Sequence, residues 1–150
     1  MSCGRFVIFV NLLFVVPAFG LEPVAELSAS DDLLGFNGFG SAVAVDGDVI
    51  AVGAPLDDEL EKGLTHGAVY VFRRIGGHWF EEAKLFGSQA GWNDVFGSSV
   101  AIQGNLLVVG QPHSDPAGSD FGAAYVFRRN GATWVEARES DDHSANRWQR

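Results

Sequence analysis

The feature that most constrains this chain is an internal repeat. Phe39-Gly-Ser-Ala-Val-Ala-Val-Asp-Gly-Asp-Val-Ile-Ala-Val-Gly-Ala-Pro55 aligns with Phe96-Gly-Ser-Ser-Val-Ala-Ile-Gln-Gly-Asn-Leu-Leu-Val-Val-Gly-Gln-Pro112, with nine of 17 positions identical and mostly apolar exchanges elsewhere. Further on, Gly67-Ala-Val-Tyr-Val-Phe-Arg-Arg74 matches Gly122-Ala-Ala-Tyr-Val-Phe-Arg-Arg129 at seven of eight. The offset is 57 in the first block and 55 in the second, so the difference falls in the connection between blocks: 11 residues in one copy, nine in the other. Packed strands must keep their length, whereas surface connections need not. A chain that repeats one supersecondary unit stacks its units, because each alone leaves an apolar face open.

Each unit reads as four strands. The first two, Ser41–Val45 and Asp48–Val52, are joined through Asp46-Gly47, a pair suited to the positive φ angles of a tight hairpin, and Gly104-Asn105 holds the same place in the second copy. The third strand, Ala68–Arg73, meets the fourth, Trp79–Leu85, through Gly76-Gly77. In the second copy Ala123–Arg128 meets Thr133–Ala137 through Asn130-Gly131. Val49-Ile-Ala-Val52 and Leu106-Leu-Val-Val109 are apolar on both faces, as a sheet sandwiched between two others requires. No segment sustains a helical period, and 19 Gly with 12 Phe suit short strands and tight turns. The fold class is all-β.

The Phe-Gly pair, the apolar hairpin, the Gly-Ala-Pro triplet and the Gly-Ala-Val-Tyr-Val-Phe strand together resemble the FG-GAP repeat over roughly residues 24–137. The resemblance implies β-propeller-type blades like those of the integrin α-subunit propeller and of exported bacterial proteins. The second copy departs from the pattern at Gln111, which replaces the Ala of Gly-Ala-Pro. Two four-stranded antiparallel blades, about 39–85 and 96–137 within a repeat region 21–137, make an incomplete propeller, since closure takes about four to eight. Two sheet faces are then left open, which self-association of copies would cover. Integrin-type members carry calcium in an acidic loop between a blade's first two strands. Here that loop is a two-residue turn, too short to converge six to eight oxygens on an ion.

Residues 1–20 have the pattern of a signal peptide: Arg5, an apolar run from Phe6 to Val16 broken only by Asn11, then Pro17-Ala18-Phe19-Gly20 with small residues at −3 and −1 of a cut after Gly20. The run is shorter than the roughly 20 apolar residues a membrane span needs. Cleavage would leave no span, although retention as an anchor is the alternative. A secreted or cell-surface location follows, or the periplasm in a Gram-negative bacterium. The single cysteine, Cys3, lies in this segment, so a cleaved chain has no thiol for a disulfide, zinc site or nucleophile. Net charge is −9 and no basic cluster exceeds Arg73-Arg74 and Arg128-Arg129, which excludes nucleic acid as a natural partner. Residues 138–150 form a polar tail.

No catalytic residue is assigned. Ser98-Ser99 lacks the second glycine of a nucleophile elbow, and Ser41 holds the same blade position as Ser98. His66, His78, His113 and His143 fall at unlike positions with no metal-binding spacing. No cofactor is predicted. Acids do gather after the Gly-Ala-Pro position, and Asp57, Asp58, Glu59, Asp115 and Asp120 are the candidates for a weak calcium site. Solvated loop acids are the plainer alternative. Asp31-Asp32 and Asn93-Asp94 precede the Phe-Gly pairs and are expected to be turn residues on the opposite rim. Trp79 and Trp134 are expected to anchor the core at equivalent fourth-strand positions. Trp92, outside the repeat, is the better candidate for an exposed contact.

The expected function is that of an exported, non-catalytic binding or adhesion module whose blade loops contact protein or polysaccharide. The alternatives are a non-catalytic portion of a larger exported propeller hydrolase or lyase, or a truncated product without independent function.

Overall fold

A computed structural model describes residues 25–31, 36–59, 64–89, 91, 93–113 and 122–137. The leader at 1–20 and the tail at 138–150 lie outside these residues, as do Trp92, Asp115, Asp120 and His143. Blade 1 consists of β1 (Ala42–Asp46), β2 (Val49–Ala54), β5 (Ala68–Ile75) and β6 (His78–Leu85), hydrogen-bonded in that order. A small hairpin, β3 (Asp58–Glu59) with β4 (Leu64–Thr65), interrupts the path from β2 to β5. Blade 2 repeats the four-stranded antiparallel order with β7 (Ser99–Gln103), β8 (Leu106–Gln111), β9 (Ala123–Asn130) and β10 (Thr133–Glu136). The described residues contain no helix, and the two blades do not close into a ring.

Three details differ from the sequence reading. Asp46 pairs with Val49, and Asn130 with Thr133, so the turns are Gly47-Asp48 and Gly131-Ala132, each one residue later than expected. The shift puts Gly47 (φ 56°) and Gly131 (φ 64°) at the first turn position, where a left-handed backbone is required. The connection after Pro55 is also more than a loop: pairing of Asp58 with Thr65 and Glu59 with Leu64 gives its backbone groups partners.

The core lies in two layers, one on each face of blade 1. Toward blade 2, Val49, Ala51, Val69, Val71 and Leu85 pack against Phe96, Leu107, Val109, Tyr125, Phe127 and Trp134. On the other face, Ile50, Val52, Ala54, Ala68, Tyr70 and Phe72 are covered by Leu27, Ala29, Phe39 and Trp79. Every residue of β2 is consequently buried, as its uniformly apolar sequence requires. In β8 burial alternates instead, because only one face of blade 2 has a neighbour.

The repeated motif places one aromatic cluster in each blade. The Phe39 ring meets Tyr70 and Phe72 edge-on at 5.4 and 6.0 Å, and Phe96 meets Tyr125 and Phe127 at 5.3 and 6.2 Å. Between the blades, the backbone of the Phe96-Gly97 turn lies directly on the backbone of blade 1. The Phe96 N–H donates to the His66 carbonyl at 3.1 Å. A Cβ on Gly53 would stand 2.0 Å from the Gly97 oxygen, and one on Gly67 2.1 Å from the Phe96 oxygen.

This contact predicts a contrast between two glycine substitutions. Gly53→Ala forces the blades apart and is expected to cost more than about 2 kcal/mol, read as a lower urea midpoint. Gly76→Ala meets no atom within 4 Å, so only its left-handed backbone is strained and the expected cost is about 1 kcal/mol.

Candidate functional site

The repeat carries a polar latch that the motif comparison does not display. The segment before each Phe-Gly turn crosses the fourth strand of the blade it enters. There Ser30 donates its N–H and Oγ–H to the Glu81 carboxylate, at 3.0 and 2.9 Å. Ser88 does the same to Glu136, at 2.9 and 2.7 Å. The glutamates are 55 apart, the offset of the second block, so continuing that alignment outward would have found them; the serines are 58 apart, one residue off the 57 of the first block, and need a one-residue gap to align.

Next to the first latch, two carboxylates converge on Tyr70. Its buried hydroxyl lies 2.6 Å from Asp31 Oδ1 and 2.6 Å from Asp57 Oδ2. One phenolic proton serves one acceptor at a time, so a cation must hold the pair together. Lys84 Nζ supplies it, 2.6 Å from Asp31 Oδ2 and 2.8 Å from Asp57 Oδ1, while also lying over the Tyr70 ring at 4.9 Å. Burial raises the Tyr70 pKa far above its ordinary value, and the two acceptors add to the shift. Burial alone would lower that of Lys84, but its hydrogen bonds and charge interactions with Asp31 and Asp57 reverse the sign and raise it. Asp31 moves the other way: burial raises its pKa, and Lys84 with Tyr70 more than offset this and hold it below 3.8.

Blade 2 satisfies its tyrosine differently. Gln111 replaces Ala54 and brings its amide to the Tyr125 hydroxyl. The same amide donates to Asp94 Oδ2 at 2.9 Å. The departure from the repeat pattern therefore fills, with one longer side chain, the space that Asp57 reaches into in blade 1.

A third polar group ties the blades together. The β5–β6 register skips Glu82, a bulge that turns its side chain toward blade 2. There it accepts from Arg129 Nε and Nη2 at 2.8 and 2.9 Å, from Trp134 Nε1 at 2.9 Å, and from Arg73 of its own blade. Burial raises its pKa, but these donors outweigh it and hold the carboxyl below 4.5. A further tie runs from the Gly104 N–H to Asp46 Oδ2 at 2.6 Å, turn to turn.

On the rim, Phe36 is 85% exposed and Leu56 50% exposed. They lie on neighbouring loops joined by the Leu56 N–H to Asn37 carbonyl bond of 2.9 Å. Neither residue stood out in the sequence, because both fall outside the repeated blocks.

The sequence-derived candidates are thus dispersed. Asp57 is buried in the Tyr70 cluster, and Asp58 and Glu59 form β3. Asp115 and Asp120 fall outside the described residues. Among the described residues, no three acidic, histidine or cysteine side chains group as a metal site. The family's calcium loop does not fit the β1–β2 turn either: Asp46 is engaged by Gly104, and Asp48 by Arg74 at 2.7 Å. Asp31 corrects an expectation, since it shares Tyr70 with Asp57 and so does not sit on an opposite rim. Among the described histidines, His66 contributes its carbonyl to the Phe96 N–H, and His78 and His113 are exposed. Trp134 is buried as expected, whereas Trp79 is only half-buried beneath Arg74 at 5.6 Å.

Two four-stranded sheets stacked through a repeated Phe-Gly turn define a segment of a β-propeller. The family model described as FG-GAP repeat matches residues 22–72 and 79–127, together two thirds of the chain, and the chain belongs to the FG-GAP repeat family. The second match begins in β6 and ends in β9, so one repeat straddles two blades: the fourth strand of one and the first three of the next. No curated protein matches the chain.

Two predictions follow from the ion pairs. Lys84→Met leaves Asp57 buried without its cation and is expected to lower stability by about 2–3 kcal/mol in urea unfolding. For Glu82 the folded pKa is depressed, so its contribution is present above pH 4.5 and is lost as the pH falls through the folded value. Glu82→Gln should flatten that acid limb of the stability–pH curve.

Proposed function

We propose that this chain is an exported, non-catalytic binding and adhesion-type module that contacts protein or polysaccharide through its blade rim. The observation that carries this reading is the Phe36–Leu56 pair. A phenyl ring exposed at 85% and a half-exposed leucine, on two loops joined by a backbone hydrogen bond, are contact groups that an isolated blade gains nothing by displaying. The ionised groups nearby point the same way. Asp31 and Asp57 share the Lys84 ammonium and the Tyr70 hydroxyl, a scaffold arrangement that holds the rim in shape. Export rests on Arg5, the apolar run and the small residues before position 21. Calcium has no assigned part, since Lys84 supplies the positive charge in the acidic rim cluster. Thermal unfolding with millimolar calcium and with chelator is expected to give the same Tm, and a calcium-dependent rise would restore a metal site.

The test is a binding screen of the purified chain against immobilised polysaccharides and extracellular proteins, with Phe36→Ser as the probe. The variant is expected to bind its partner about tenfold or more weakly at unchanged Tm. Equal binding by the variant would remove the rim patch from the reading. Release of soluble products from any polysaccharide would overturn the non-catalytic assignment.

A further inference from the structure

Blade 2 carries an open cavity of about 630 Å³ whose lining reproduces, position for position, the seat that blade 1 offers to the Phe96-Gly97 turn. Gly110, Gly122, Ala123 and Ala124 stand there where Gly53, Gly67, Ala68 and Val69 stand in blade 1. In blade 1 these positions are fully covered, and the atoms nearest to Gly53 and Gly67 belong to the turn of the next blade. In blade 2 the nearest atoms to Gly110 and Gly122 are those of Ser99, Gln111 and Pro112 in the same blade, and Ala124 is exposed. The surrounding sheet face is open as well, with Leu106, Val108 and Val126 each about two-fifths exposed (39, 40 and 38%). Their counterparts Val49, Ala51 and Val71 are buried under blade 2.

The matching half of the joint lies at the other end of the molecule. Phe39-Gly40 has the conformation of Phe96-Gly97: Gly40 and Gly97 have φ 94° and 90°, and each donates its N–H to the second-strand glycine of its own blade. Yet Phe39-Gly40 remains partly exposed where Phe96-Gly97 is buried. The Phe39 N–H is held by the Asn37 side chain at 2.9 Å, in place of the carbonyl of a preceding blade that Phe96 uses. The segment before it fits too. The Ser30 and Ser88 latches align Ala25 with Ala83 and Leu27 with Leu85. In blade 1, Ala83 and Leu85 pair with Val71 and Val69, completing the eight-residue β6. β10 has four residues and its pairing ends at Glu136 with Phe127, followed by one bond from the Ala137 N–H to the Val126 carbonyl at 2.7 Å, so on this side, among the described residues, Ala124 and Tyr125 of β9 have no strand partner.

We infer that two copies of this chain join head to tail, the Phe39-Gly40 turn of one seating in the blade 2 cavity of another. Ala25–Leu27 of the incoming copy continues the short fourth strand. The intermolecular joint repeats the intramolecular one, so its geometry is already built and the occupant is a second copy. A propeller closes with about four to eight blades, and rotation repeated at such a joint gives a ring of about two to four copies. This inference does not depend on what the rim loops bind.

The test is the mass of the purified full chain by light scattering. A discrete oligomer is expected, and Ala124→Arg, which puts a charge into the cavity from an exposed position, should reduce it to one copy with an unchanged β-type circular dichroism spectrum. In a Cys3→Ser background, Ser41→Cys chains mixed with Ala124→Cys chains should cross-link to a dimer through a short bismaleimide, and neither should do so alone. A monomeric wild-type chain, an Ala124→Arg oligomer of wild-type mass, or cross-linking of Ala124→Cys with itself would each overturn the head-to-tail joint.

Discussion

The rest of the structure depends on the contact of one backbone with another between the blades. At Gly53 and Gly67 the Phe96-Gly97 turn comes so close that no side-chain atom fits between them. That closeness brings the two sheets within packing distance, so Val49, Ala51, Val69 and Val71 can be buried against Leu107, Val109, Tyr125 and Phe127. Side-chain burial is the larger favourable term, at roughly 25 cal/mol per Å² of apolar surface. Its realisation nevertheless requires the glycines, because a single methyl group would open the joint along its length. The motif residues that mark the repeat are thus the residues of the joint, and their spacing follows from the need to meet across blades.

Around that joint the polar groups differ between copies in ways that packing explains. Tyr70 and Tyr125 occupy one register position, and each buried hydroxyl needs a partner. In blade 1 the small Ala54 leaves room for Asp31 and Asp57, with Lys84 bridging the two carboxylates. In blade 2 Gln111 fills the same room with a neutral amide. Trp79 and Trp134 diverge for a related reason. The surroundings of a fourth-strand tryptophan come largely from the preceding blade, which Trp134 has in Glu82 and blade 1. Trp79 instead has the short segment containing Leu27 and Ala29 nearby, and Arg74 beside it.

The same asymmetry bears on function. One end of the stack presents the partly exposed Phe39-Gly40 turn; the other presents an open seat and an uncovered sheet face. The rim, where Phe36 and Leu56 project, is fixed by hydrogen bonds to the sheet and does not take part in the joint. A scaffold that separates its stacking surfaces from its rim can vary the rim without loosening the stack. The unequal connections after Pro55 and Pro112 show such variation within one chain.

The repeat, the all-β class, the four strands of each blade and the family were legible in the sequence, because strand pairing and tight turns impose patterns on neighbouring residues. Even the burial of β2 on both faces could be read from Val49-Ile-Ala-Val52. What only the tertiary structure decided are contacts between residues distant along the chain. Asp31 and Asp57 meet at Tyr70; Glu82 reaches Arg129 through a bulge that no local pattern announces; Phe36 and Leu56 become neighbours through a backbone bond. The acids after Pro55 read as one loop cluster, yet the fold draws Asp57 inward and pairs Asp58 and Glu59 in β3. A sequence specifies its local ladders residue by residue. Which charges are finally paired, and which faces are left open, is fixed only when one blade is laid upon the next.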